Sequence, residues 1–95
     1  MQTKSKIDIK NIERMKEIAH IYKKTGQQEQ SLKYHKLIVE LCNHYPADEK
    51  ILSLKIDSLN RLNKGFKSLE TTKKLLKINP KNKIGLFNLI HYIIR

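Results

Sequence analysis

The cysteine and histidines are the residues most able to do chemistry in this chain. Cys42 and His44 stand two apart. On a helix that spacing sends them to different faces, so they cannot share a metal ion. His20, His35 and His91 are scattered along the chain, and each reads as packing or surface rather than as a ligand. Glu13 and Glu17 lie one helical turn apart, the spacing of a carboxylate pair. With Lys16 beside them they read as a solvated face. There is no glycine-rich phosphate loop, no paired-cysteine motif and no HExxH. The sequence points to no enzymatic activity, and neither cofactor nor metal is expected.

Lysine is the other reactive population. The 20 Lys and Arg against 9 Asp and Glu give a net charge of +11. Most of the excess lies after residue 60, where nine bases face only Glu70. Lys64, Lys67, Lys74 and Lys77 form a ladder on one side of a helix whose outer face also carries Lys73, and Lys81 and Lys83 extend it. Such a field attracts acidic protein, nucleic acid or anionic lipid without choosing among them. Sequence-specific readers of nucleic acid add arginine for base edges or aromatics for stacking. This region has only Arg61 and Arg95, and its aromatics are expected to be used in packing.

The elements that position these groups follow from periodicity. Leu, Ile, Val and Phe supply 28 of 95 residues, enough for one folded domain. Three Gly and two Pro leave few turns, and no stretch alternates as a strand does, so the fold class is all-α. Ser5 and Asp8 suggest a capping box for a first helix carrying Ile12, Met15, Ile18 and Tyr22, ended by Gly26. A second helix buries Leu32, His35, Ile38, Leu41 and Cys42 and stops at Pro46. Asp48 caps a third, with Leu52, Ile56, Leu59 and Leu62 in phase, closed by Gly65. A fourth, from about Phe66 to Ile78, buries Leu69, Thr72, Leu75 and Leu76 before Pro80. Asn82 caps the fifth.

Pro46 and Pro80 are 34 residues apart, and their surroundings match in kind. Leu41 and Cys42 answer Leu75 and Leu76; Leu52, Ile56 and Leu59 answer Leu86, Ile90 and Ile93. A 34-residue unit of two antiparallel helices ending in proline resembles the tetratricopeptide repeat (TPR). Met15, Ile18, Ala19 and Tyr22 fit the first helix of that pattern, and Ser31 and His35 fit the second. Leu52, Leu59, Ser68, Thr72 and Pro80 fit the next repeat, although Lys55 and Ile56 depart from it. Pro46 comes three residues late, which predicts a second helix nearly a turn too long. The turn before Gly65 looks two residues short. An ordinary helical bundle with coincidental proline spacing is the alternative.

The resemblance implies a right-handed α-solenoid of about five antiparallel helices, two and a half TPR-like pairs. Residues 1–95 then form one domain, with 1–10 open to fraying, repeats at about 12–46 and 47–80, and a lone final helix at 82–95. Some tetratricopeptide proteins clamp a carboxylate with Lys and Asn on their first helices. The equivalent positions here are Lys16, His20, Ser53 and Asp57, of which only Lys16 is of the right type, so that activity is not carried over. The resemblance implies a concave face lined by Lys16, Lys23, Lys50 and Lys55.

The last helix is the least polar of the five. Eight of the eleven residues from 84 to 94 are apolar, and they cover an arc of roughly 220° where a one-sided helix needs about 100°. Leu86, Leu89 and Ile93 are expected to face the fourth helix, leaving Phe87, Ile90 and Ile94 uncovered. Contiguous apolar patches usually mark interfaces, so a homodimer through Phe87, Ile90 and Ile94 is expected. The alternatives are cover by the second helix, fraying of the last turn, or a place in a longer array. The run is too short for a bilayer, which needs about 20 residues. A lone Cys42 and an amino terminus without an apolar segment suggest a reducing, cytoplasmic setting. The expected function is a non-enzymatic protein–protein interaction scaffold, with an acidic protein or peptide as the expected partner. A basic nucleic-acid binder using Lys64, Lys67, Lys74, Lys77 and Lys81 is the competing expectation.

Overall fold

A computed structural model describes residues 4–94, with side chains from Ile9 onward. The side chains of Ser5 and Asp8, where a capping box was expected, and Arg95 lie outside the described residues. Five helices and no strand occur among them: α1 (Lys4–Lys24), α2 (Gln28–Cys42), α3 (Glu49–Arg61), α4 (Gly65–Ile78) and α5 (Lys83–Ile94). Each helix packs on the next in sequence, and α1 also meets α3. The molecule measures 38 × 31 × 18 Å, so its thinnest dimension is under two helix diameters.

Local chemistry sets most boundaries. Gly26 ends α1 at φ 82°, a left-handed conformation that costs glycine nothing. Lys23 and Lys24 occupy the last turn of α1, where positive charge suits the helix dipole. Asp48 caps α3 by accepting from the Ile51 amide at 2.9 Å, and Asn82 caps α5 by accepting from the Gly85 amide at 3.0 Å.

Three expectations are corrected here. Gly65 does not close α3: it is the first residue of α4, and Asn63 takes the left-handed position at φ 61°. Asn tolerates that conformation better than most side chains. The connections α1–α2 and α3–α4 are equal, each three residues long, so the turn before α4 is not short. Nor is α2 a turn too long. The late proline is absorbed by a turn at residues 43–45, in which the amides of His44 and Tyr45 donate to the carbonyls of Leu41 and Cys42.

Two apolar clusters hold the helices together. Ile12, Ile38, Cys42, Ile51 and Leu54 join α1, α2 and α3, with Ile9, Met15, Leu41 and Tyr45 packed around them. Leu52, Ile56 and Leu75 join α3 to α4. Each such fully buried aliphatic side chain contributes roughly 1.5–3 kcal/mol. Between the clusters, buried His35 on α2 shares a hydrogen bond of 2.9 Å with Ser58 on α3. Glu49 pins the α4–α5 connection to the start of α3, accepting from Asn79 at 3.0 Å and Asn82 at 2.8 Å. Those amides, Asn82 first, hold its carboxyl below the ordinary value.

Candidate interaction surfaces

α5 has reversed sides. Its buried positions are Gly85 and Asn88, with Leu89 and Tyr92 half-buried beside them. Gly85 lets α5 approach α4 closely, since a Cβ there would stand 2.8 Å from Leu76 Cδ2. Asn88 donates to Thr72 Oγ1 at 2.6 Å and to Ser68 Oγ at 3.0 Å, and accepts from Asn60 Nδ2 at 2.8 Å. Tyr92 extends the chain by donating to Asn60 Oδ1 at 3.2 Å. No buried side-chain polar atom among the described residues lacks a partner, so this polar seam is fully satisfied and costs little.

The apolar residues point the other way. Ile93 and Ile94 are 72% and 75% exposed, Phe87 72%, Ile90 48% and Leu86 39%. At 100° per residue the five share an arc of about 120° opposite the polar seam. The expectation that Leu86 and Ile93 face α4 is therefore overturned. Asn88 already satisfies the buried hydroxyls of Ser68 and Thr72, and the absent side chain of Gly85 gives the closest approach. Rotating the helix to bury Leu86 and Ile93 would strand those hydroxyls. Phe87, Ile90 and Ile94 are uncovered, as the sequence suggested, and Leu86 and Ile93 join them.

Lys64, Lys67, Lys73, Lys74, Lys77, Lys81 and Lys83 are all exposed. None has a carboxylate within 4.0 Å among the described residues. Phe66 lies in the same stretch, between Lys64 and Lys67, and is 77% exposed. Phe66 and Phe87 are thus not used in packing, contrary to expectation, because the inward face of α4 is taken by Ser68, Thr71, Thr72 and Leu75; Tyr92 alone of this region's aromatics packs, half-buried against Gly65.

A third surface is a groove of about 760 Å³ between α1 and α3, reaching down to Ser31 and His35 of α2. Lys16 and Lys23 line it. Lys50 reaches its edge through a 2.9 Å ion pair with Glu13, itself a lining residue. Lys55 is half-buried and acts on Cys42, so it does not join the other three. The groove is charge-mixed: Asp57 lies 3.9 Å from Lys16 and 3.8 Å from Arg61, which partly neutralises both. Burial holds the His35 imidazole below its usual value, against the attraction of Asp57 and with repulsion from Arg61, Lys16 and Lys23 adding to the effect.

Burial also pushes the Cys42 thiol up to about 11, slightly relieved by Lys55. At neutral pH it stays a protonated core residue rather than a nucleophile. No three His, Cys, Asp or Glu gather as a metal site among the described residues, and no described helix is long and apolar enough to cross a membrane.

Sequence reasoning placed Ser68 at a small-residue position of the repeat pattern but missed the buried roles of Ser58 and Asn88. The only signal available was a polar residue at helical spacing from the apolar stripe, which also fits a solvent-facing position. No family model, curated protein or solved structure matches the chain.

Proposed function

We propose that this chain is a non-enzymatic protein–protein interaction module. Its five helices form a right-handed, TPR-like solenoid of two and a half antiparallel pairs, in which the described helices leave an apolar face of α5 uncovered. One observation carries this: a single helix face recurs three times. Met15, Ala19 and Tyr22 on α1 pack toward α2, where Tyr22 stacks on Tyr34 at 5.7 Å. Thirty-seven residues on, Leu52, Ile56 and Leu59 are buried on α3, two of them against Leu75 of α4. Thirty-four residues further, Leu86, Ile90 and Ile93 stand at the same phase on α5 and are left exposed by the described helices. A repeat exposes its binding face because each unit covers only its neighbour.

The α1–α3 groove is the concave side of this module. Its floor offers Leu54 and its wall Ile21, and Lys23, His20 and Arg61 lie toward the carboxy-terminal ends of the two helices. A protein or peptide segment combining apolar side chains with an acidic end suits it. A cytoplasmic setting suits the protonated, buried Cys42.

A basic nucleic-acid binder is the second reading, favoured by exposed Phe66 between Lys64 and Lys67, because stacking on an aromatic plus phosphate contacts is how single strands are held. Chemical-shift mapping separates the two. Titration with a Leu- and Glu-containing peptide is expected to move amides near Lys16, His20, Lys23 and Arg61. If instead a single-stranded oligonucleotide moves Phe66, Lys67, Lys74 and Lys77, and the peptide moves nothing, the module reading fails. Glu substitutions at Lys67, Lys74 and Lys77 would then abolish binding.

A further inference from the structure

We infer that the outward stripe of α5 is a two-fold interface with α5 of a second copy, centred on Ile90. This deepens the reading of the chain as a protein–protein interaction module, and is independent of whether the groove binds a peptide.

Three observations choose the occupant. The first is charge. Residues 84–94 contain no Lys, Arg, Asp or Glu, while the chain as a whole carries +11. Two copies repel wherever their lysines would meet, and the outer side of α4 carries a dense set of them. Among the described residues only Lys83, at the amino-terminal edge, brings a charge to the α5 stripe, so two such molecules meeting about Ile90 keep most of their like charges apart. An acidic partner, drawn to the lysines, gains little from a surface whose described residues offer a cation only at the edge.

The second is shape. α3 uses Leu52, Ile56 and Leu59 against α4 and keeps the next positions polar, with Ser53 and Asn60. On α5 the positions matching Ser53 and Asn60 are Phe87 and Ile94, which are 72% and 75% exposed. The α5 stripe is therefore wider than the seam that accepts a following repeat helix. A helix with an equally wide, uncovered apolar side is what it fits, and α5 is such a helix. An isologous contact covers both stripes at once and closes, leaving none exposed.

The third is area. Ile93, Leu86, Ile90, Ile94 and Phe87 together expose roughly 600 Å², so two copies would bury at most about 1,200 Å², the lower edge of a standard protein interface. That is enough for a specific dimer, and small enough that it dissociates on dilution.

Light scattering on a size-exclusion column, at low and high micromolar protein and in low and high salt, tests this. The expected mass at high concentration is twice 11.2 kDa, unchanged or strengthened by salt because the contact is apolar. Ile90→Asp is expected to weaken association by at least about a hundredfold, since it buries an unpaired charge. Its helical signal and cooperative melt should persist, because Ile90 is half exposed in one chain. Should that variant misfold, Ile90→Cys leaves a smaller but uncharged, apolar side chain there. It is expected to oxidise to a covalent dimer, while Phe66→Cys, at a position more exposed in the single chain, stays monomeric. A wild-type monomer at every concentration overturns the inference, as does a ladder of sizes that grows with concentration, or equal oxidation of the two cysteine variants. A monomer that floats with phosphatidylserine vesicles overturns it too, assigning the stripe to a membrane surface. None of these outcomes touches the groove mapping, so the two readings fail separately.

Discussion

Replacing Asn88 with alanine isolates what holds α5 in place. Asn88 is 7% exposed and makes three side-chain hydrogen bonds, to Thr72, Ser68 and Asn60. Each is worth about 0.5–1.5 kcal/mol net. Ser68 and Thr72 are fully buried, so their hydroxyl oxygens would lose a donor that water cannot replace. Against this, alanine gains about 0.6 kcal/mol of helix propensity. The expected net loss is about 2 kcal/mol, or on the order of 10 °C in Tm for a domain of this size. Amide exchange locates the effect. Protection along α5 should fall by about thirtyfold, the equivalent of 2 kcal/mol, while α2 amides change less if α5 opens as its own unit. A double-mutant cycle with Thr72→Val should show coupling near 1 kcal/mol. A loss below about 0.5 kcal/mol, with unchanged α5 exchange, would refute the claim that a polar seam docks this helix.

Three further outcomes follow from the same coordinates. Because burial lowers the His35 pKa below 6.5, the unfolded chain takes up a proton before the native one does. Stability should hold above about pH 6.5, decline as pH falls from there toward the lowered native value, and level off beneath it. Urea midpoints measured across that window test this, and the decline should shrink in His35→Gln. Cys42, with a thiol pKa of about 11, should react slowly with a disulfide reagent in the native protein and at an ordinary rate in denaturant; equal rates would contradict its burial. Asp48→Ala removes the acceptor of the Ile51 amide and should cost about 1 kcal/mol in a denaturant melt, with Asp48→Asn recovering most of it.

Helix number, the two side-chain caps and the apolar phases of α3 and α4 were legible because each rests on a local rule. Asp48 before an apolar-periodic run caps whatever follows it. The orientation of α5 was not legible. Periodicity assigns the most apolar arc to the interior, and on α5 that arc is the exposed one. What decides the matter lies on other helices: the hydroxyls of Ser68 and Thr72 on α4 and the amide of Asn60 at the end of α3. A donor and two acceptors contributed by positions 60, 68 and 72 become one site only when the chain folds. The lysines were located correctly on the outer side of α4, but the exposure of Phe66 among them depended on how much of α4 was already covered by α3 and α5.

α3 and α5 together explain why one helix is finished and the other is not. Both turn a seam toward the helix before them: Ile51, Leu54 and Ser58 on α3, and at the same spacing Gly85, Asn88 and Tyr92 on α5. The α3 seam is mainly apolar and joins the large cluster with Ile38 and Cys42. The α5 seam has exchanged that bulk for a glycine, an amide and a phenol. Hydrogen bonds hold an orientation more sharply than apolar contact does, but they release less free energy from water. α5 is therefore fixed in direction yet weakly anchored, and its apolar surface is kept on the outside, uncovered by the other described helices. Covering that stripe would add the burial energy that the α4–α5 seam lacks, which makes assembly and the stability of the last helix one linked equilibrium.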